Sequence, residues 1–298
     1  MIQNTYSIEF ITPCFCAGAD PAQAEIRAPS IRGQLRWWFR ILRGTAADEA
    51  AIFGSAAGES GVGSSVRVEV RNLKLGPAWT PPDVDQNTAQ SYTWHYARES
   101  GKAANSGRHT PGPRWQAKGA IPPRSQFDLV IKQIRPLDEA RRRAFDAALQ
   151  AFLCFGTIGL RATRGLGAFH CPQATPWREQ ADALAEAGFR IAIRQQPEAF
   201  STWESALNDW SAWLRYKLRD PRNGGVKADH FSALGGIEPL RQASAIRFRP
   251  IRLPGGQFTW LGLEAPHARV LGRHAPETLT PILFTGRAPS PPPRTRAR

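Results

Sequence analysis

Cysteine is scarce in this chain: Cys14, Cys16, Cys154 and Cys171 are the only four among 298 residues. No two are spaced C-x-x-C, so a zinc ribbon has no support. The absence of an even disulfide framework points to a reducing, cytoplasmic setting. Cys14, Cys16, His170 and Cys171 would form a metal set only if their strands were neighbours. Poor ligand spacing and the frequency of small buried cysteines weigh against it, and no metal and no cofactor are expected. Long apolar runs are missing as well. None approaches the roughly 18 to 20 residues of a spanning helix, so a membrane partner is disfavoured. The opening Met1-Ile2-Gln3-Asn4 lacks the basic-then-apolar pattern of a secretory signal. Acid is the third shortage: 25 Asp and Glu stand against 39 Lys and Arg, for a net charge of +14. That excess suits a polyanionic partner, above all nucleic acid.

What is present supports a folded chain. Hydrophobic residues make up 42% of it, enough for a core, and the length suits two ordinary domains or one large one. The basic excess is concentrated in four stretches without a single acid. Residues 27–43 carry five arginines; 101–124 carry Lys102, Arg108, Arg114, Lys118 and Arg124. Residues 161–178 carry Arg161, Arg164 and Arg178, and 241–252 carry Arg241, Arg247, Arg249 and Arg252. Acid-free blocks sustain positive potential because no nearby carboxylate neutralises them. The plain alternative is a generally arginine-rich composition with solvated faces.

The hydrophobic pattern predicts strands at 6–11, 66–75, 127–134 and 166–171, with helices at 30–43 and 138–155. Ser30 reads as the N-cap of the first helix and Gly44 as its stop; Asp138 caps the second. The order β-α-β-β-α-β gives an α+β, ferredoxin-like domain over residues 1–172. Residues 76–124, rich in Pro, Gly, Ser and Asn, read as an insertion. Strands at 189–194, 246–251 and 258–263 and a helix at 202–218 suggest a second, reduced domain of the same type at 173–286. The tail at 287–298 reads as disordered.

Two constellations carry the functional reading. The first is the helix at 30–43. Ile31, Leu35, Trp38 and Leu42 fall on one face, and Arg32, Arg36, Arg40 and Arg43 on a neighbouring one. Like charges at i, i+4 repel by a few tenths of a kcal/mol per pair, so the ridge calls for a counter-anion. Phosphates would supply it, with Arg27 and the Ser30 end adding a helix N-terminus. Trp37 and Trp38 offer either a stacking surface for an unpaired base or core packing; Trp38, on the apolar face, favours the core. The second constellation is the loop at 156–167, with Gly156, Gly159, Gly165 and Gly167 around Arg161 and Arg164. It is neither a Walker A loop nor a dinucleotide loop, since it follows a helix and precedes a strand. Glycines let a backbone pass close to a bulky ligand, which suits a sugar-phosphate chain; a glycine cap plus a turn is the bland reading.

The first strand, the Gly18-Ala-Asp20 loop, the R-x-x-S-x-R-G-x-x-R-x-W-x-x-R helix and the glycine-arginine loop together resemble the RAMP superfamily of CRISPR proteins. Within it they are most similar to the first-subunit family of the type III-B, or Cmr, effector. Residues 241–247 resemble part of that family's second domain. The resemblance is specific over 5–45 and 152–170, loose over 76–124 and most of the C-terminal half, and the chain is short for the family. It implies a non-catalytic subunit of a ribonucleoprotein in antiviral defence. Its partners would be the 3′ region of a guide RNA, target RNA and other RAMP subunits. The residues carried over are Arg27, Arg32, Arg36, Arg40, Gly159, Arg161, Arg164, Gly165 and Gly167; Ser30, Trp37 and Arg43 complete the candidate RNA-binding set.

Catalytic chemistry is thinly represented. The six histidines (His95, His109, His170, His230, His267, His274) avoid the first helix and the loop before it, where a processing ribonuclease of this superfamily places its base. His109 sits beside Arg108 and equally suits phosphate contact. Asp20 lies where backbone subunits of such effectors carry a target-cleaving aspartate, although an Asp-Pro turn explains it. The alternative function is therefore an endoribonuclease acting on guide precursor or target RNA. Trp79, Trp94, Tyr96 and Trp115 interleave with cations in the insertion, as for base stacking or for ordering against a partner protein.

Overall fold

The computed structural model describes residues 2–20, 23–56, 61–82, 89–94, 120–193, 199–218, 234 and 244–271. His109, Tyr96, Trp115, Arg241 and the tail at 287–298 lie outside them.

Strand β1 (Ile2–Phe10) alternates buried Ile8 and Phe10 with polar neighbours, the signature of a strand with one face on a core. After the short β2 (Cys14–Phe15) come helices α1 (Ala28–Ile41) and α2 (Ala46–Phe53), strand β3 (Val66–Lys74) and the single turn α3 (Ser91–Trp94). Strands β4 (Ala120–Ile121) and β5 (Gln126–Gln133), helix α4 (Glu139–Phe155) and strand β6 (Phe169–His170) follow. The main sheet is antiparallel in the order β3-β5-β1-β6. Counted along the chain, with β2 and β4 forming a separate ribbon, that is the 4-1-3-2 order of a ferredoxin-like unit. Helices α1 and α4 cover one face, where Ile31, Leu35, Trp38, Leu149 and Phe152 meet Ile8, Phe10, Leu129 and Ile131. The other face is polar. Glu69 lies between Lys132 at 2.8 Å and Arg67 at 3.2 Å, and Arg71 also pairs with it. Thr5 and Ser7 stand opposite Val130 and Asp128, so no aromatic platform projects from the centre of this sheet.

Helix α5 (Trp177–Glu186), strand β7 (Arg190–Ile193), helix α6 (Trp203–Trp213, extended by a π turn at Leu214–Leu218), strands β8 (Ile246–Arg252) and β9 (Phe258–Glu264) and the short α7 (His267–Leu271) follow among the described residues. The second sheet runs β7-β9-β8, antiparallel throughout. With α6 between β7 and β8, the described elements of this sheet follow the order β-α-β-β. Trp210 on α6 packs on Phe248 and lies 5.1 Å from Trp260. The sheet's opposite side sends Ile251, Leu261 and Leu263 into the first core, so both faces are covered.

Four local expectations change. The first helix begins at Ala28, with Arg27 in extended backbone at its cap, so Ser30 lies inside the first turn rather than capping it. Helix α2 is an addition, capped by the Thr45 hydroxyl accepting from the Asp48 N–H. Helix α5 is another, starting straight after Pro176. In the insertion, Trp94 is buried in the core rather than presented for stacking on RNA, and Trp79 is partly buried beside it. Trp94 is buried 5.7 Å from Trp79 and 6.5 Å from Trp203, and Trp79 packs edge-on to Phe15. Hydrophobic burial ties this segment to α6, and the Thr93–Ser211 hydroxyl bond at 2.7 Å orients it.

Candidate nucleic-acid interface

The arginines of α1 are not an uncompensated ridge. Arg36 Nε and Arg40 Nε each donate to the Glu49 carboxylate at 2.6 Å, and Arg40 Nη2 adds a third bond of 2.6 Å. Arg32 Nη2 donates to the Phe53 carbonyl. The i, i+4 repulsion is thus relieved by an internal carboxylate, not by phosphate. Residues 27–43 contain no acid, but Thr45 starts a helix that turns Glu49 back onto them. Glu49 is only 6% exposed. The Arg40 hydrogen bonds, followed by those of Arg36, outweigh burial and hold its carboxyl below the ordinary glutamate value. Arg43 leaves the helix in left-handed backbone, φ 72°, beyond the ridge.

Trp37 is likewise occupied. The Arg247 guanidinium lies 3.5 Å from its ring centroid while Arg247 Nη1 donates to Gln34 Oε1 at 3.1 Å. Arg249, two residues along β8, is bolted to the Gly156 carbonyl at 2.9 Å and to that of Phe169. Arg252 pairs with Glu9. The described part of the fourth basic stretch therefore serves the contact between the two sheets.

The glycine loop is mostly internal too. Gly167 donates to the Pro13 carbonyl at 2.9 Å, and the Thr12 hydroxyl donates to the Gly165 carbonyl at 2.9 Å. A Cβ on Gly167 would stand 1.8 Å from the Ile158 oxygen, and one on Gly165 3.0 Å from Leu207 Cδ1. Arg164 is buried, its Nη2 donating to the Leu234 carbonyl at 2.8 Å. Gly165, Gly167 and Arg164 are thus packing elements, which corrects their assignment to a phosphate cradle. Only the turn at 159–163 reaches solvent, with Leu160 44% exposed and Arg161 half-exposed at φ 56°.

That turn does meet one end of α1. The Leu160 N–H donates to the Phe15 carbonyl at 2.8 Å. The next residue, Cys16, has its Sγ 3.7 Å from Ser30 Oγ in the first turn of α1. The segment at 14–16 therefore holds Arg27, Ser30, Gly159 and Arg161 in one neighbourhood, apart from Arg36 and Arg40. This end of α1 has no side-chain cap and no acid in its first turn. A hydrogen bond from Cys14, with help from Ser30 and from the backbone and charge of Arg27, pulls the Cys16 thiol down to about 6. Burial pushes Cys14 far the other way.

The cysteines do not assemble as metal ligands. Cys14 Sγ lies 3.3 Å from the Ile158 carbonyl oxygen, Cys171 donates to Gln173, and no group of three or more His, Cys, Asp or Glu forms among the described residues. Asp20 lies exposed in the loop after β2. No described helix is long and apolar enough to cross a membrane.

A family model of the RAMP superfamily matches residues 7–170, more than half the chain. The chain belongs to the RAMP superfamily. Both the α1 N-terminus and the turn at 159–163 lie in the matched stretch of this RAMP protein. Cmr subunit Cmr1-2 of Pyrococcus furiosus is 38% identical over 85 residues, covering 26% of this chain and 44% of that one. Subunit Cmr1-1 of the same organism is 27% identical over 167 residues, 51% of this chain and 42% of the relative. The chain thus spans less than half the length of the curated relatives it matches. Among solved structures, apo Cmr1 from P. furiosus superposes with a TM-score of 0.54 at 19% identity, covering 95% of this chain and 92% of that one. A chain of the type III-B Cmr-beta assembly bound to cognate target RNA and AMPPnP gives 0.53 at 10% identity, with 88% and 94% covered. At those identities the likeness is one of fold.

Proposed function

We propose that this RAMP protein is a non-catalytic RNA-binding subunit of a type III-B CRISPR ribonucleoprotein. In this reading it contacts the 3′ region of the guide RNA and helps to capture target RNA beside other RAMP subunits in the cytoplasm. The observation that carries the reading is the junction of the uncapped α1 N-terminus with the turn at 159–163. The positive end of the helix dipole attracts a phosphate, and Arg27 and Arg161 bring cationic side chains to that end; Pro29 has no N–H and the Ser30 N–H is held by the Arg27 carbonyl, so the attraction rests on charge and dipole rather than on a row of free donors. The polar open face of the main sheet carries no central aromatic pair, which favours backbone contact over base reading.

Replacing Arg27 by Ala and Arg161 by Asn, which tolerates left-handed backbone, should weaken RNA binding about equally across sequences. The slope of log affinity against log salt should fall by about 1 per lost phosphate contact. Wild-type slopes in both variants would remove the interface. Labelled guide and target RNA should stay intact with the chain; cuts that vanish in Asp20→Ala would replace this reading by a nuclease.

A further inference from the structure

A cleft of about 160 Å³ opens where α4, β6, α5 and β8 meet. Its wall contains Arg249, Arg252 and His170 but no carboxylate. Arg249 is 4% exposed, and its hydrogen-bonded partners are neutral carbonyls. Its Nε is buried with no partner. A desolvated cation without a counter-anion is costly, and carbonyl dipoles offset only part of that cost. Arg252 is already neutralised by Glu9. Helix α5 begins on the same wall, at Pro176 and Trp177. Pro176 brings no side-chain cap, so the first-turn N–H groups of a ten-residue helix lack a side-chain acceptor. Glu179, the one acid of that turn, is not on the wall.

We propose that this cleft is a phosphate site, built by the Arg249 guanidinium and the N-terminus of α5. The cleft has room for one tetrahedral oxyanion. A larger groove of about 570 Å³ crosses the open sheet face past Ser7, Asn72 and Lys74, and it shares His170 and Pro172 with the cleft. The phosphate is therefore either a free ion or a monoester whose nucleoside lies in the groove. This site is separate from the α1 interface and stands or falls without it.

Titrating the full chain with inorganic phosphate by calorimetry, with chloride at matched ionic strength as reference, should give one saturable site. Arg249→Met should abolish it. Because that change also removes two carbonyl bonds, Ala174→Glu provides a second route: it keeps Arg249 and puts a carboxylate on the wall. It should fold, melt no lower than wild type, and bind phosphate at least tenfold more weakly with unchanged RNA affinity. Adenosine monophosphate binding more tightly than phosphate would assign the monoester; equal or weaker binding would assign the free ion. No saturable phosphate binding, or binding unchanged in Ala174→Glu, overturns the proposal.

Discussion

Replacing Glu49 by Gln separates a structural role for the α1 arginines from an RNA-binding one. The change keeps the side chain's shape and removes the charge that three N–H donors share at 2.6 Å. A hydrogen bond to a charged group is worth about 1.5–3 kcal/mol when well buried. Arg36 is 35% exposed in its side chain and Arg40 57%, so solvent screening brings each pair closer to about 0.2–1 kcal/mol. Restored repulsion along the helix adds a few tenths of a kcal/mol per pair. The expected loss is about 1–3 kcal/mol in total, read as a lower urea midpoint at pH 7. The pH dependence has a definite sign. The folded-state pKa of Glu49 lies below its ordinary 4.5, so its contribution is complete above that value and vanishes as pH falls through the folded one. The gap between wild type and Glu49→Gln should therefore be constant near neutrality and close in acid. Arg36→Met should shift the midpoint in the same direction and leave the RNA salt slope alone. A variant at Arg36 with an unchanged midpoint and a salt slope lower by about 1 would refute this account and restore the cationic ridge as an RNA surface.

Gly167→Ala should cost more than about 3 kcal/mol, because φ 67° and a backbone oxygen 1.8 Å from the new Cβ leave no room to adjust. Gly255→Ala, at φ 87° in open space, should cost only about 1–2 kcal/mol; similar melting points for the two would contradict this. Arg247→Met should be neutral or stabilising, by up to about 4 kcal/mol, since a buried guanidinium stacked on Trp37 with Gln34 as partner has no acid to lose. A lowered melting point would show that the stack contributes more than desolvation costs. In a mass-spectrometric alkylation series, Cys16, with its thiol near 6, should reach its limiting rate by about pH 7. Cys154, pushed up to about 12 by burial, should still be accelerating at pH 9.

Much of the architecture is legible along the chain because strands and helices announce themselves by period. The alternation at 66–75 and 127–134 and the Asp138 cap give β3, β5 and α4 within a residue or two. Helix α2 carried a signal, Thr45 three residues before Asp48, and α5 carried Trp177, Ala181 and Leu184 at helical spacing. The motifs shared with the RAMP superfamily also sit in local sequence, within the stretch that the family model matches.

Availability of charge was not legible in the same way. Whether an arginine is free depends on which carboxylate or carbonyl the fold delivers to it, and that partner need not be near in sequence. Glu49 reaches Arg36 across 13 residues, whereas Gln34 and Arg247 meet across 213. Local periodicity by itself determined the main-sheet strands, helices α1 and α4 and their order, but not α2 or α5. Only tertiary packing decided that Arg36, Arg40, Arg164 and Trp37 have internal partners and that the turn bearing Arg161 meets the end of α1 that bears Arg27, because electrostatic pairing depends on distance through space.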